Sequence, residues 1–150
     1  MSERKRHTGT FEVERTTGSH EVLDRLFVYG TLRSGQTARS LLANSIVKTE
    51  PARARGRIYA FPMGHPGYSD EDQTQQVRGE VVWLKDLAAT FGLLDAYEGE
   101  DFARVITQVT LATGEDVWCW IYVLADPAAT KVGTLIEDGD WVRYWTEEQS

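Results

Sequence analysis

Apolar residues along the chain fall into short runs with the two-residue alternation of β-strands. The first run, at residues 26–29, is apolar throughout and is broken by Gly30, which predicts a buried strand that enters a tight turn. Four further strand-like runs follow Pro51, at residues 55–61, 77–84, 104–111 and 116–124. Between the last two runs, the sequence TGE at residues 113–115 predicts a hairpin turn with antiparallel strands on either side.

The run at residues 116–124 is apolar on both faces of the predicted strand. Its two alternating sets of side chains are Val117, Cys119, Ile121 and Val123 on one face, and Trp118, Trp120, Tyr122 and Leu124 on the other. Such a strand must be covered on both sides, because either face would otherwise expose a large apolar surface to water. The pattern therefore favours a closed or heavily covered sheet over an open sheet with one wet face.

One stretch between the strands has the three- and four-residue spacing of a helix. Leu87, Phe91 and Leu94 form its apolar stripe, with Asp86 as the predicted N-cap and Gly99 as the predicted C-cap. A second, shorter helix is predicted within residues 36–44. Local hairpins combined with one or two helices predict an α+β domain.

Composition adds the expected domain organisation and environment. The 150 residues carry 23 acidic and 16 basic side chains, a formal net charge of -7, which argues against a nucleic-acid partner. Residues 1–24 are polar and lack periodic apolar positions, which predicts a flexible N-terminal arm before a folded domain at residues 25–150. Because no apolar run approaches the roughly 20 residues that span a bilayer, we expect no membrane partner and a cytoplasmic protein.

Few residues outside the helix and the first turn suggest chemistry. The single Cys119 is predicted to be a buried core residue, and the three histidines lack the spacing of a zinc site, so no metal is expected. Trp141 and Trp145 are predicted to pack the C-terminal segment onto the domain or to form a partner surface.

Glu98 is the first candidate functional residue, because it continues the apolar stripe of the predicted helix. It follows Leu94 by four residues and Phe91 by seven, so a helix that buries those residues directs the carboxylate toward the core. Burial and the negative end of the helix dipole would both raise the pKa of Glu98. A glutamate with a raised pKa is a candidate general acid/base.

Two alternative interpretations of Glu98 remain open at this point. The last helical turn could fray, which would leave Glu98 in a solvated acidic group with Asp95, Glu100 and Asp101. Alternatively, Arg104 could pair with Glu98 and lower its pKa.

The turn at Gly30 is the second candidate. A glycine-interrupted loop after a buried strand can direct successive backbone N–H groups toward an anion such as a carboxylate or phosphate. The spacing from Gly30 to Gly35 resembles a phosphate-binding P-loop, but Gln36 stands where that motif requires lysine. A smaller anion is therefore preferred over a nucleotide, and a plain turn without ligand is the alternative.

Six short motifs together resemble the gamma-glutamylcyclotransferase-like family. They are FVYGTLR at 27–33, VRGEV at 77–81, LDAYEG at 94–99, FAR at 102–104, WIYV at 120–123 and LIEDGDW at 135–141. The most specific pair is YGTLR after an apolar strand, followed about 65 residues later by LDAYEG. The resemblance implies a small mixed barrel-like β-sheet with flanking helices.

The resemblance also implies a reaction and a site. A γ-glutamyl compound is cyclised to 5-oxoproline with release of a free amine or amino acid, without a metal or cofactor. The catalytic glutamate of the family matches Glu98, and its substrate-binding loop matches Tyr29, Gly30, Thr31 and Leu32. The family usually has tyrosine where this chain has Phe102, and Tyr144 is a candidate to supply a substrate contact instead.

Two other function classes stay open on the same fold. One is a non-catalytic module that binds a small carboxylate in the loop, and the other is a protein-interaction domain that uses the tryptophan-rich C-terminal segment. The resemblance does not choose among γ-glutamyl substrates, and neither it nor the composition fixes the oligomeric state.

Overall fold

Five strands of the chain close into a barrel, seen in a computed structural model that describes residues 23–148. The eight strands in chain order are β1 (Arg25–Val28), β2 (Ile46–Arg55), β3 (Arg57–Phe61), β4 (His65–Ser69), β5 (Gln76–Leu84), β6 (Phe102–Leu111), β7 (Asp116–Leu124) and β8 (Thr134–Leu135). The order around the barrel is β1, β5, β2, β6, β7. The expected arm at residues 1–24 lies almost wholly outside the described residues.

The barrel is mixed because one of its strand pairs is parallel. β6 and β7 form the predicted antiparallel hairpin, and β5 pairs antiparallel with both β1 and β2. The barrel closes where β1 runs parallel to β7, with Leu26 opposite Trp120. An α+β fold with a small mixed barrel-like sheet is thus confirmed.

Two apolar cores lie on the two faces of the barrel wall. One cluster gathers residues such as Phe27 and Ile121, whose neighbours in sequence on both sides belong to the other cluster, and Val81, whose neighbour Val82 does so. The second cluster includes Leu26, Val82 and Trp120, together with side chains of the long helix. Because neighbouring residues of a strand point to opposite faces, the first cluster fills the barrel and the second lies between its outer wall and the helix. Each fully buried side chain of this kind contributes roughly 1.5–3 kcal/mol.

β7 is buried on both faces over most of its length, as its sequence predicted. Cys119 and Ile121 belong to the barrel interior, whereas Trp120 and Tyr122 belong to the outer cluster. Trp118 is the exception, because 55% of its surface remains exposed.

Among residues 23–148, two α-helices flank the barrel: α1 (Leu87–Glu98) and α2 (Trp141–Glu148). α1 runs to the predicted end at Gly99, whose φ of 73° suits glycine and whose N–H donates to the carbonyl of Asp95. Asp86 occupies the predicted N-cap position, but its side chain makes no capping hydrogen bond and its backbone is left-handed. The helix expected within residues 36–44 is reduced to one 3₁₀ turn, Arg39–Leu41.

A second, three-stranded sheet, in the order β4, β3, β8, differs from the sequence expectation. The run predicted at residues 55–61 is divided at Gly56. The φ of Gly56 is 149°, and a Cβ added at this position would clash with the side chain of Tyr68. β2 also begins before Pro51 rather than after it, and pairs with β5 through that proline. β4 was not predicted, and it contains His65 and Pro66 in a segment rich in turn-forming residues. In the described part of the chain, no helix is long and apolar enough to cross a membrane.

Gly79 gives a direct test of the barrel wall. A Cβ at this position would lie 2.2 Å from the carbonyl oxygen of Val28 on the adjacent strand. We expect Gly79→Ala to lower the free energy of unfolding by about 2–3 kcal/mol in urea denaturation. The matched control is Gly92→Ala on α1, where no atom lies within 4 Å of the new Cβ, and it should raise stability by roughly 0.5–1 kcal/mol. Equal effects of the two substitutions would contradict the barrel register.

Candidate active site

The loop after β1 is a compact turn whose backbone conformation is fixed by internal hydrogen bonds. The Arg33 N–H donates to the Gly30 carbonyl over 3.0 Å, and the Ala38 N–H donates to the Thr31 carbonyl over 2.8 Å. Gly30 is required for steric reasons, because a Cβ there would lie 2.4 Å from Cγ of Pro66. The loop therefore presses directly against β4.

Three consecutive amides of this loop are free to bind a ligand. Within residues 23–148, the N–H groups of Gly30, Thr31 and Leu32 donate to no protein acceptor. Their residues also line a cavity, so they are candidates to bind an anion such as a carboxylate or a developing oxyanion.

Glu80 holds the loop in place from β5. Its carboxylate accepts from the backbone N–H of Ser34 over 3.1 Å and from Nη1 of Arg39 over 3.1 Å. Arg39 also donates to the Leu32 carbonyl over 3.2 Å. With only 13% of its side chain exposed, Glu80 makes charge-assisted bonds of the stronger kind, and these order the loop.

The cavity has a volume of about 300 Å³. It brings together Glu98 and all four residues of the predicted binding loop. Among the residues that the structure describes, the lining consists of Phe27, Val28, Tyr29, Gly30, Thr31, Leu32, His65, Pro66, Tyr97, Glu98, Asp101, Phe102 and Tyr122. The two candidates that the sequence singled out therefore share one cavity.

Glu98 ends α1 with its side chain partly buried. The preceding stripe is as the sequence predicted, with Phe91 and Leu94 buried and Leu87 partly buried. Burial, and secondarily the charge of Asp95, raise the pKa of Glu98 to about 7. The helix does not fray before Glu98, so the solvated acidic group considered as an alternative does not form.

Arg104 does not pair with Glu98, so the second alternative interpretation of Glu98 is also wrong. Its guanidinium makes two parallel bonds to Asp95, Nε to Oδ1 at 3.0 Å and Nη2 to Oδ2 at 3.1 Å. Desolvation raises the pKa of Asp95, but hydrogen bonds from Arg104 and Tyr122 outweigh it and hold that pKa below its usual value. Asp95 is thus the ionised partner, and Glu98 remains without a hydrogen bond or ion pair within residues 23–148.

Hydrogen bonds that involve tyrosine hydroxyl groups join the elements around the cavity. The Tyr29 hydroxyl donates to the Tyr122 carbonyl over 2.7 Å, and the Tyr122 hydroxyl donates to Asp95 Oδ1 over 2.6 Å. Thr31 Oγ1 and the Tyr97 hydroxyl lie 2.8 Å apart and link the loop to the end of α1. Burial, and then the nearby charge of Glu98, raise the pKa of Tyr29 well above its usual value.

Tyr144 is not among the residues that line the cavity. It lies on α2 with its ring 6.0 Å from that of the buried Trp141, and both belong to the packing of the helix on the barrel core. Phe102 does line the cavity, where it meets the His65 ring edge-on at 6.2 Å. The structure therefore gives no support to Tyr144 as a replacement for a hydroxyl at position 102.

Sequence reasoning missed Tyr122, His65 and Asp101 as lining residues. Tyr122 carried a usable signal, because its alternation with Ile121 places it on the helix-facing side of β7, together with Trp120. His65 gave none, since its flanking prolines and glycines resemble an exposed loop. Within the described residues, no group of three or more His, Cys, Asp or Glu side chains is arranged to hold a metal ion.

Comparisons with known proteins agree with this geometry. The family model for "Gamma-glutamyl cyclotransferase, AIG2-like" matches residues 26–143. The "Gamma-glutamylcyclotransferase family protein ytfP" of Citrobacter rodentium is 32% identical over 121 residues, which cover 79% of this chain and 95% of that protein.

Solved structures give the same fold. YkqA from Bacillus subtilis superposes with a TM-score of 0.67 at 28% identity, over 85% of this chain but only 43% of YkqA. This chain therefore corresponds to less than half of that protein. An AIG2-like protein from Mus musculus superposes with a TM-score of 0.57 at 19% identity, over 70% of this chain and 79% of that one, and shows the shared fold.

The raised pKa of Glu98 predicts a pH-dependent stability. In the folded protein Glu98 ionises around pH 7 rather than 4.5, so between these values the folded state holds a proton that the unfolded chain has lost. The free energy of unfolding should therefore fall as the pH rises through this window. In urea denaturation, Glu98→Gln should match the parent protein near pH 4 and exceed its stability by roughly 1–3 kcal/mol at pH 8.

The control is Glu100→Gln, which removes an exposed carboxylate two residues further along. Its stability difference from the parent protein should vary little with pH. A Glu98→Gln difference that is the same at pH 4 and pH 8 would show that Glu98 titrates as an ordinary solvated glutamate.

Proposed function

The chain belongs to the gamma-glutamyl cyclotransferase, AIG2-like family, and we propose that it converts a γ-glutamyl compound into 5-oxoproline and a free amine or amino acid. The observation that carries the proposal is the shared cavity, which brings the partly buried carboxyl of Glu98 together with the free amides of Gly30, Thr31 and Leu32. An acid/base and an anion-binding loop in one cavity are the two components that this reaction needs.

The reaction is an intramolecular aminolysis. The α-amine of the γ-glutamyl group attacks its own side-chain carbonyl carbon, and the new C–N bond closes a five-membered lactam ring. The carbonyl oxygen becomes a transient oxyanion until the bond to the departing nitrogen breaks. One proton must leave the attacking amine and one must reach the leaving nitrogen, so the overall reaction consumes no cofactor.

Glu98 would perform both proton transfers in turn. Its ionised carboxylate accepts the proton from the attacking amine, and the resulting carboxylic acid delivers it to the leaving nitrogen. A pKa of about 7 suits this double role, because both forms are then accessible near neutral pH. The carboxyl oxygens must lie within roughly 2.6–3.2 Å of the reacting nitrogens, directly or through one water.

The loop amides would bind the negative groups of the substrate. The α-carboxylate of the γ-glutamyl group and the oxyanion of the intermediate are both suited to backbone N–H donors. Bonds from Glu80 and Arg39 hold the loop before substrate arrives, so the donors need little reorganisation during the reaction. Because the nucleophile belongs to the substrate, holding the γ-glutamyl group in its ring-closing conformation would supply much of the acceleration.

The charges of the cavity favour one kind of leaving group. Within residues 23–148, the lining of the cavity includes the carboxyl groups of Glu98 and Asp101 and no lysine or arginine. A released group with its own carboxylate would meet like charge at the cavity, whereas a neutral or cationic amine would not. We therefore place γ-glutamyl amines ahead of γ-glutamyl amino acids as substrates.

Glu98→Gln tests the proposed reaction. Glutamine keeps the size of the side chain but cannot accept the proton, so 5-oxoproline release from a panel of γ-glutamyl compounds should fall by a factor of about 10²–10⁴. Glu100→Gln should keep the parent rate. Undiminished release by Glu98→Gln would remove Glu98 from its role, and a bound γ-glutamyl ligand without turnover by the parent protein would favour the non-catalytic binding module.

A matched substrate pair tests the leaving-group preference. γ-Glutamyl-alaninamide and γ-glutamylalanine differ mainly in one carboxylate, and we expect a kcat/KM roughly fivefold higher for the amide, equivalent to about 1 kcal/mol. Asp101→Asn should narrow the ratio, because it removes a negative charge from the lining of the cavity. A ratio below one, or one that Asp101→Asn leaves unchanged, would contradict this preference.

A further inference from the structure

The side chains around Glu98 are bonded to other acceptors. The Tyr29 hydroxyl donates to the Tyr122 carbonyl, and the Tyr97 hydroxyl is bonded to Thr31. The Tyr122 hydroxyl donates to Asp95. The hydroxyl protons of Tyr29 and Tyr122 are therefore directed to acceptors other than Glu98.

Arg104 is the cation whose position matters most for Glu98. Its guanidinium contacts two aromatic rings, 4.1 Å from the centroid of Phe91 and 4.6 Å from that of Trp120. Cation–π contacts of this kind and a two-bond carboxylate pair together restrict it to one orientation. The carboxylate that completes this orientation is Asp95, one helical turn before Glu98.

We propose that Asp95 is a positioning residue for the reaction proposed above: it binds Arg104 and the Tyr122 hydroxyl, and so withholds both donors from Glu98. Tyr122 lines the same cavity as Glu98, and Asp95, which binds both donors, precedes Glu98 by one turn of α1. Either donor, if turned to Glu98, would stabilise its carboxylate and take away its ability to return a proton. This assignment rests on the proposed acid/base role of Glu98.

The stability of the ion pair alone does not account for this arrangement. The side chain of Asp95 is 47% exposed and that of Arg104 is 22% exposed, and exposed pairs contribute little to folding, typically under about 1 kcal/mol. The position of the pair affects Glu98 more than it affects folding. It places the negative charge of Asp95 one helical turn from Glu98 and keeps the positive charge of Arg104 bound to Asp95.

The titratable and charged groups that face Glu98 come from every element around the cavity. Within the described residues, the cavity lining contributes Tyr29 from the loop after β1, His65 from β4, Tyr97 from α1, Asp101 from the following 3₁₀ turn and Tyr122 from β7. Asp95 on α1 acts on Glu98 through its charge, and Arg104 from β6 is bonded to Asp95. Of these groups, Arg104 carries the permanent positive charge. Whether Arg104 binds Asp95 or Glu98 therefore determines whether the Glu98 carboxylate is stabilised by a positive charge.

The experiment is a titration of the Glu98 carboxyl by ¹³C NMR in the protein without substrate, with the signal assigned by its loss in Glu98→Gln. Asp95→Asn should lower the pKa of Glu98 by about one unit or more, because a like charge is removed and Arg104 loses its partner. Arg104→Gln should not lower it, since the cation is then absent and Asp95 remains. Opposite responses to two substitutions in one ion pair separate positioning from a merely structural role.

The control is Asp138→Asn, which breaks a similar aspartate–arginine pair with Arg143 on α2, outside the lining of the cavity. It should leave the Glu98 titration unchanged. An unshifted Glu98 pKa in Asp95→Asn, or a fall of similar size in Asp95→Asn and Arg104→Gln, would overturn the assignment.

The same variants keep this inference separable from the proposed function. If the protein cyclises γ-glutamyl compounds, the acid limb of its kcat/KM profile should move with the NMR pKa in Asp95→Asn. A shifted NMR titration in a protein without cyclotransferase activity would overturn the proposed function but keep the electrostatic role of Asp95. An active protein whose Glu98 titration is unshifted in Asp95→Asn would keep the proposed function but overturn the role of Asp95.

Discussion

The site depends on one physical constraint, the partial burial of the Glu98 carboxyl group, which has no ion-pair partner within residues 23–148. An unpaired carboxylate in a water-poor cavity is unfavourable, and Glu98 responds with a pKa of about 7. The position of Glu98 is fixed because Phe91 and Leu94 pack α1 on the barrel and the helix ends at Gly99. The apolar packing of the helix thus offsets the electrostatic cost of its last residue.

The barrel supplies the opposite wall of the cavity through strand alternation. Within β7, Ile121 fills the barrel while Trp120 and Tyr122 face α1, so one strand stabilises the core and shapes the site. β1 does the same, since Phe27 packs in the barrel and the chain then enters the loop at Gly30. A substitution that shifts either strand by one residue would therefore alter core and cavity together.

The sequence was sufficient for the parts of the molecule that are governed by local periodicity. The strand before Gly30, the two-faced strand β7 and the stripe that leads to Glu98 follow from patterns of two and of three to four residues. β4 was missed because the pairing of His65–Ser69 with β3 overrides the turn-forming tendency of its prolines and glycines. α2 was missed although its sequence carried a usable signal, because Trp141, Tyr144 and Trp145 have the three- and four-residue spacing of a helix face that packs on the barrel core.

Side-chain partners could not be predicted in the same way. Asp95 and Glu98 lie one helical turn apart, so spacing alone allowed Arg104 to pair with either. In the folded protein the guanidinium contacts the rings of Phe91 and Trp120 and is bonded to Asp95. This tertiary contact between α1, β6 and β7 leaves Glu98 available for the proton transfers that we propose.

The most direct measurement is a crystal structure of the protein with bound 5-oxoproline, the proposed product. We expect the carboxylate of the ligand to accept hydrogen bonds from the amides of Gly30, Thr31 or Leu32, and its ring nitrogen to lie within roughly 3.2 Å of a Glu98 carboxyl oxygen, or one water away. A ligand that binds outside this cavity, or one that binds in the loop while Glu98 faces solvent, would contradict the account.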